Sequence, residues 1–447
     1  MQVMETSKQI TETPPITEVD RARWALREKW SWVESSIWTD SMLIALGNGV
    51  KGGKWFSLID KTYRPQVLEN AWLKIKSNKG AGGVDNISIH KFAANKDRYL
   101  EELANDLKSE TYKPQAVKRK YILKEKGKFR PLGLPTIKDK IAQQAIKVAI
   151  EPIFENEFLD TSYGFRPNRG AKTAIAEVNN LIDQGYVWVL DADIKAYFDT
   201  IPHENLLKKI KRRISDRRII GLIEMWLKQT IMEECKNWIP TEGTAQGGVI
   251  SPLLANIYLH DLDVTLKAAK YKMIRYADDF VVLTKTKEDA ENALMMVQEW
   301  MTEHELNLHP EKTRIGNCMV IGEGFDFLGY RFELGTTWVR KKSIQKFRDR
   351  IRQKTSKVCG KAIKEVIKEL NPILRGWCNY FKDVTKYTLG TFDSFVRRRL
   401  RAIMQKQNKK KSFGAGWCNM TIPNKFFASN GLINMEDLQR QYLACQS

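Results

Sequence analysis

No stretch of the 447 residues reaches the roughly eighteen consecutive apolar positions that a membrane span requires. The first twenty residues are polar, include Pro14 and Pro15, and lack the apolar core of a secretion signal. These absences predict no membrane partner and a cytoplasmic, reducing location. Cysteine is sparse: Cys235, Cys318, Cys359, Cys378, Cys418 and Cys445 stand far apart, with no Cys-x-x-Cys pair and no Cys/His grouping at metal-ligand spacing. Reduced thiols and no structural zinc are expected. Histidine is scarcer, five in all, and none follows His309.

Acidic residues are present in number but outnumbered: 53 Asp and Glu face 74 Lys and Arg, a formal net charge of +21. Much of the surplus is local, because Arg331 to Lys411 carries 24 basic residues against 6 acidic ones. A polyanion is the expected partner of that stretch. The hydrophobic share, 43%, is that of an ordinary globular chain with room for about two or three packed domains.

Residues 1–20 read as an unstructured lead, and 21–54, with Trp24, Trp30, Trp32 and Trp38, as a short helical element with aromatic anchors. Lys118–Leu123 and Phe129–Leu134 read as two strands joined by a Lys-Gly turn, a hairpin studded with cations. A helix is expected around 141–150 and another from Ala171. The apolar run Tyr186–Leu190 then reads as a buried strand delivering Asp191 and Asp193 at its end. Lys272–Tyr276 and Phe280–Leu283 form a second strand pair, tightly connected through Ala277-Asp278-Asp279. Thr286 to Asp289 signals the start of a helix that covers the sheet through Leu294, Val297 and Met301. Beyond residue 330 no strand-rich segment is expected.

Asp193 at a strand end and Asp278 with Asp279 at a hairpin tip could meet on one antiparallel sheet. Three clustered carboxylates repel one another and call for a counter-cation, for which oxygen-seeking Mg²⁺ is suited. Such a set is the recipe for two-metal nucleotidyl transfer.

Tyr276-Ala277-Asp278-Asp279 resembles the signature of reverse transcriptases, and Asp193-Ile194-Lys195-Ala196-Tyr197-Phe198-Asp199 resembles its partner motif. In the family's order follow segments similar to its other motifs: Gly243–Ile257, Leu308–Thr313 and Phe327-Leu328-Gly329-Tyr330, the last like a primer grip. Ile373–Phe381 and Ile422–Phe427 resemble the maturase region of group II intron proteins. The resemblance implies that Asp193 and Asp278 ligate two Mg²⁺ ions, with Mn²⁺ able to substitute, that Asp279 stands close behind, and that the carbonyl of Ile194 completes a shell. It implies further that Lys124 and Arg130 hold the triphosphate of a dNTP, that Phe198 is a steric gate against ribose, and that Gln246 supports nucleotide and template. The cationic character of Lys124 and Arg130 suits that role independently.

The resulting expectation is an α+β right-hand polymerase, with fingers and an antiparallel-sheet palm, followed by an α-helical thumb and maturase (X) domain. The divisions are 1–64 for an N-terminal extension, 65–335 for fingers and palm, 336–430 for the basic helical region, and 431–447 for a tail with no endonuclease domain. The expected function is RNA-directed DNA synthesis for a group II intron, with help in splicing and mobility by target-primed reverse transcription. Expected partners are the intron RNA, an RNA template with a DNA primer, dNTPs and a DNA target, with nucleoid association when acting on DNA. Alternatives are a reverse transcriptase domesticated for phage defence, DNA repair or CRISPR spacer acquisition, and a non-catalytic RNA-binding splicing factor. Cations and aromatics alternate near the C-terminus (Arg340-Lys341-Lys342, Arg397-Arg398-Arg399 and Lys409-Lys410-Lys411 beside Trp377, Tyr380, Phe381 and Phe392), and there the arginines are expected on RNA and the aromatics in a core.

Overall fold

The computed structural model describes residues 18–125, 127–234, 236–356, 360–382, 384, 386–407 and 422–444. Its strands are β1 (Val117–Glu125), β2 (Lys128–Leu134), β3 (Trp188–Asp193), β4 (Ile231–Glu233), β5 (Lys236–Trp238), β6 (Lys272–Tyr276), β7 (Asp279–Thr284), β8 (Arg314–Asn317), β9 (Phe325–Phe327), β10 (Tyr330–Glu333) and β11 (Thr336–Val339). They make three sheets, ordered β2-β1-β4-β5, β6-β7-β3-β8 and β11-β10-β9.

The second sheet is antiparallel throughout and central. Both of its faces are covered. Leu190, Ala192, Phe280 and Val282 pack into one core beneath helices Ser251–Ala268 and Lys287–Glu303, whereas Val189, Ile274, Val281 and Leu283 pack into a second core with Phe327 and Tyr330. Double coverage explains why these strands read as unbroken apolar runs and not as alternation. Thr286 caps its helix as expected, its hydroxyl accepting from Asp289 N–H at 3.1 Å.

Helix Ile137–Glu155 is longer than the 141–150 expected, with Ile141, Ala142, Ala145, Ile146, Ala149 and Ile150 fully buried. Trp30 and Trp38 join this same core, and Trp38 Nε1 donates to Val148 O at 3.2 Å. The aromatic N-terminal segment is therefore built into the fingers and is not a separate layer.

Strands continue to Val339, past the expected limit of 335, because Phe325, Phe327, Tyr330 and Phe332 turn their rings into the second core while Asp326 and Arg331 between them on the strands face outward. The basic helices then begin at Lys341: Lys341–Lys354, Ile363–Tyr380 and Lys386–Gln407. Their aromatics are core, as the Trp377 ring packs with its centroid 4.7 Å from those of Phe347 and Phe392 and 4.6 Å from that of Phe381. Residues 435–444, expected as tail, form a helix whose Met435 is buried. The Asp393 carboxylate docks it by accepting from Met435 N–H at 3.0 Å. Cys318 and Cys378 are free and buried; Cys235, Cys359, Cys418, Cys445 and Lys409-Lys410-Lys411 lie outside the described residues. Among the described residues no helix is long and apolar enough to cross a membrane.

Candidate active site

Two strands deliver the carboxylates. β3 ends at Asp193, whose register partner on β7 is Asp279. Because Tyr276 pairs with Asp279, the connection from β6 to β7 holds only Ala277 and Asp278. Asp279, read from sequence as part of that connection, instead opens the strand. Ala277 takes φ 61, the left-handed conformation that a two-residue hairpin turn needs at its first central residue. Strand parity then sets Asp191, Asp193 and Asp279 on one face.

Arg275 holds the turn from beneath. Its fully buried guanidinium grips the equally buried Asp263 with Nε to Oδ1 at 2.7 Å and Nη2 to Oδ2 at 2.5 Å. It also donates to Asn256 Oδ1 at 2.9 Å and to the Ala277 carbonyl at 3.0 Å. Asn256 and Asp263 lie two turns apart on helix Ser251–Ala268, so one helix face supports the hairpin tip.

The carboxylates load one another. Burial, then the charges of Asp191, Asp278 and Asp193, push the Asp279 carboxyl up to about 7, against the pull of Arg340. Burial likewise raises Asp191 to about 6, opposed by Arg314. Asp193 accepts a 2.5 Å bond from Lys312 Nζ. Lys312 reaches it because His309 N–H donates to Asp193 O and Lys195 N–H to Asn307 O, both at 2.8 Å. Those bonds flank Ile194 and leave its own carbonyl directed to the opposite edge, toward β7.

These residues suit a divalent cation: the donors are oxygens, one carboxylate already draws an ammonium, and its neighbour's charge is suppressed by burial and by the like charges around it. Among the described residues no three His, Cys, Asp or Glu side chains converge tightly enough to hold a metal alone. The shell therefore calls for backbone or substrate oxygens in addition, as Mg²⁺ sites commonly do.

The nucleotide residues divide. Arg130 on β2 donates from Nε to Gln246 Oε1 at 2.8 Å, and Gly133 N–H donates to Gln246 O at 2.6 Å, so fingers and palm meet at the two residues that the resemblance paired with dNTP. Gly247, at φ 116, lies where a β-carbon would overlap Gly133 O. Lys124 lies on β1, its side chain outside the described residues. Phe198 is not on strand parity with Asp193: the strand stops at Asp193, Ala196 turns the chain at φ 49, and Phe198 sits in the one-turn helix Tyr197–Thr200, 8% exposed.

Sequence reading assigned no site role to Lys312, Arg275 or Arg314, left Asp191 without one beyond its place at the strand end, and expected Arg340 on RNA. Asp191 was recoverable from parity alone, two residues from Asp193 on the same strand. Arg275 gave only a weak sign, a cation inside an apolar strand. Two of the thumb cations serve the fold: Arg340 pairs with Asp326 at 3.1 Å, and Arg399 donates to Thr355 O at 2.7 Å.

A pH dependence follows. Folded, Asp279 keeps its proton until about pH 7, whereas its ordinary value is 3.8. Between those limits the folded chain binds more protons than the unfolded one, so metal-free stability falls as pH rises, by up to about 1.4 kcal/mol per unit. Asp191 adds the same sign up to about 6. A divalent cation offsets the repulsion once the carboxylates ionise, so the rise in melting temperature on adding Mg²⁺ should be several-fold larger at pH 8 than at pH 5.5. Equal rises in a thermal scan would show that Asp279 does not sense the ion.

A family model described as reverse transcriptase (RNA-dependent DNA polymerase) matches residues 122–332, and one described as the group II intron maturase-specific domain matches 344–421. Protein YkfC of Escherichia coli (strain K12) is 35% identical over 63% of this chain and 82% of its own. The group II intron-encoded protein LtrA of Lactococcus lactis subsp. cremoris is 36% identical over 58% of this chain, which spans only 40% of LtrA. A partial Cas6-RT-Cas1--Cas2 complex shares 26% identity over 55% of this chain and 41% of that chain, with a TM-score of 0.35, a likeness too loose to bear on the fold. Reverse transcriptases depend on divalent metal, and the two matched domains are of kinds that bind intron RNA and nucleic acid templates. With the carboxylate hairpin and the basic helical region in the same order as these matches, the chain belongs to the group II intron reverse transcriptases, RNA-directed DNA polymerases that carry a maturase domain.

Proposed function

We propose that this protein copies RNA into DNA by nucleotidyl transfer, and that its basic helices hold group II intron RNA so that it assists splicing and then intron mobility at a DNA target. The observation that carries the reading is the register of Asp193 against Asp279, one residue from Asp278 in the turn, with Lys312 already bonded to Asp193. Asp193, Asp278 and the Ile194 carbonyl would hold Mg²⁺, with Asp279 behind them. Bound there, two Mg²⁺ ions would acidify the primer 3′-hydroxyl and neutralise the triphosphate and leaving pyrophosphate.

The chain's own residues supply position. Arg130, oriented by Gln246, and Lys124 meet the triphosphate; Arg275 fixes the turn under Asp278; Phe198 closes the site to a 2′-hydroxyl. Arg130→Ala should therefore raise KM for dNTP about tenfold, a charge-assisted contact's worth, with a smaller change in kcat. Steady-state kinetics at varied dNTP reads this, and an unchanged KM would remove Arg130 from the nucleotide site.

The reading itself is tested by extension of a DNA primer on an RNA template with dNTPs and Mg²⁺. Synthesis that disappears in the Asp278→Ala, Asp279→Ala double variant supports it. A well-folded wild-type chain that binds RNA and makes no DNA would instead be a non-catalytic splicing factor.

A further inference from the structure

Phe165 is the only aromatic residue at positive φ among the described residues, at φ 58. That backbone region disfavours a bulky side chain and suits glycine or asparagine. The residue is 51% exposed, so burial returns little of the cost. A ring that helps neither backbone nor core contributes most directly to something outside the folded chain.

The N-terminal flank of Phe165 is clamped to the hairpin that bears Asp278. Tyr163 N–H donates to Arg275 O and Arg275 N–H to Thr161 O, both at 2.8 Å. Asn256 Nδ2 donates to Gly164 O at 2.8 Å, and a β-carbon on Gly164 would overlap Ala277 N, so loop and turn lie backbone against backbone. On the other side Arg166 is buried, its guanidinium donating to Ser162 O at 2.8 Å and to Glu155 Oε2 at 2.9 Å. The loop has little freedom to relax. It presents the Phe165 ring 6.3 Å from the ring of Tyr276, the residue that leads into the turn.

We propose that Phe165 is a substrate-contact residue that enters the minor groove of the RNA–DNA hybrid within about two base steps of the reacting primer end, and holds the duplex against the hairpin. The inference rests on the polymerase reading above. Its chemistry is that of the ring: phosphates are left to the cations, whereas the wide, shallow minor groove of an A-like helix offers sugar faces and base edges to an apolar plane. Rigid tethering matters, because a contact fixed to the same turn as Asp278 also fixes the distance from duplex to carboxylate.

The decisive variant is Phe165→Gly, which removes the ring and relieves the backbone. Melting temperature, hybrid affinity by fluorescence anisotropy without nucleotides, and KM for primer–template are measured on the full chain, with Phe165→Tyr as the conservative control. The expected result is an equal or higher melting temperature, a Kd and a KM for the hybrid each raised about five- to tenfold, unchanged affinity for single-stranded RNA, and recovery in Phe165→Tyr. Wild-type hybrid affinity in Phe165→Gly overturns the contact, and equal loss on single-stranded RNA overturns its placement in the duplex groove. A marked fall in melting temperature shows the ring to be structural and overturns the proposal as well. Failure of the polymerase reading is seen separately, as a wild-type chain that binds the hybrid and never extends it.

Discussion

Asp193→Asn should lower the rate of primer extension by about three orders of magnitude, equivalent to about 4 kcal/mol of transition-state stabilisation, while the metal-free fold becomes no less stable. The two halves of that result have one cause. Asp193 lies at the end of β3 facing Asp279, within a set of carboxylates where burial, and then mutual repulsion, hold Asp279 up to about 7. Asparagine keeps the shape and removes one charge from the set. Repulsion eases, and Lys312, which loses its partner, is half exposed and solvated by water. What is lost is an anionic oxygen for the cation and for positioning the 3′-hydroxyl. A carboxylate kept for folding would show the opposite pattern, with stability falling alongside activity. Single-turnover extension and a metal-free thermal scan read the two halves together; extension within tenfold of wild type would remove Asp193 from the reaction.

The largest effect on stability should come from Arg275→Met. The Arg275–Asp263 pair is fully buried on both sides, and methionine leaves the Asp263 carboxylate with no cation in a low-dielectric core. Breaking such a pair from one side costs about 3–5 kcal/mol, because the remaining charge keeps its desolvation penalty. Adding Asp263→Asn should recover more than half of that loss, since the stranded charge is then gone. Urea unfolding of the single and double variants measures both numbers. Extension by Arg275→Met should also fall, because the Ala277 carbonyl loses its donor and the turn bearing Asp278 loses its support. If the single variant unfolds at the wild-type urea concentration, the pair does not support the hairpin.

The distribution of sequence-legible and sequence-silent features follows the range of the forces involved. Strand runs, the Lys-Gly turn at Gly127 (φ 75), the Thr286 cap and the order of the motifs are local, and each was readable from a few neighbouring residues. The same holds for the hairpin that bears Asp278. Its register was not local: whether Asp279 belongs to turn or strand depends on Tyr276 pairing with it across the ladder, one residue closer than the apolar runs suggested. The strand at Asp193 was legible, but Phe198's place was not, because the strand stops at Asp193 and a single left-handed residue, Ala196, restarts the chain as helix.

By itself the sequence determined the class of chemistry and the candidate residues for it, since carboxylates in repelling groups, cations on a hairpin and a basic helical region are chemical statements that need no coordinates. Only the tertiary structure decided which charges compensate which. Lys312 reaches Asp193 across 119 positions of sequence, Arg130 reaches Gln246 across 116, and Arg275 is sealed with Asp263 inside the core. Such pairings depend on burial and on a few ångströms of distance, and both are set by packing between segments far apart in the chain.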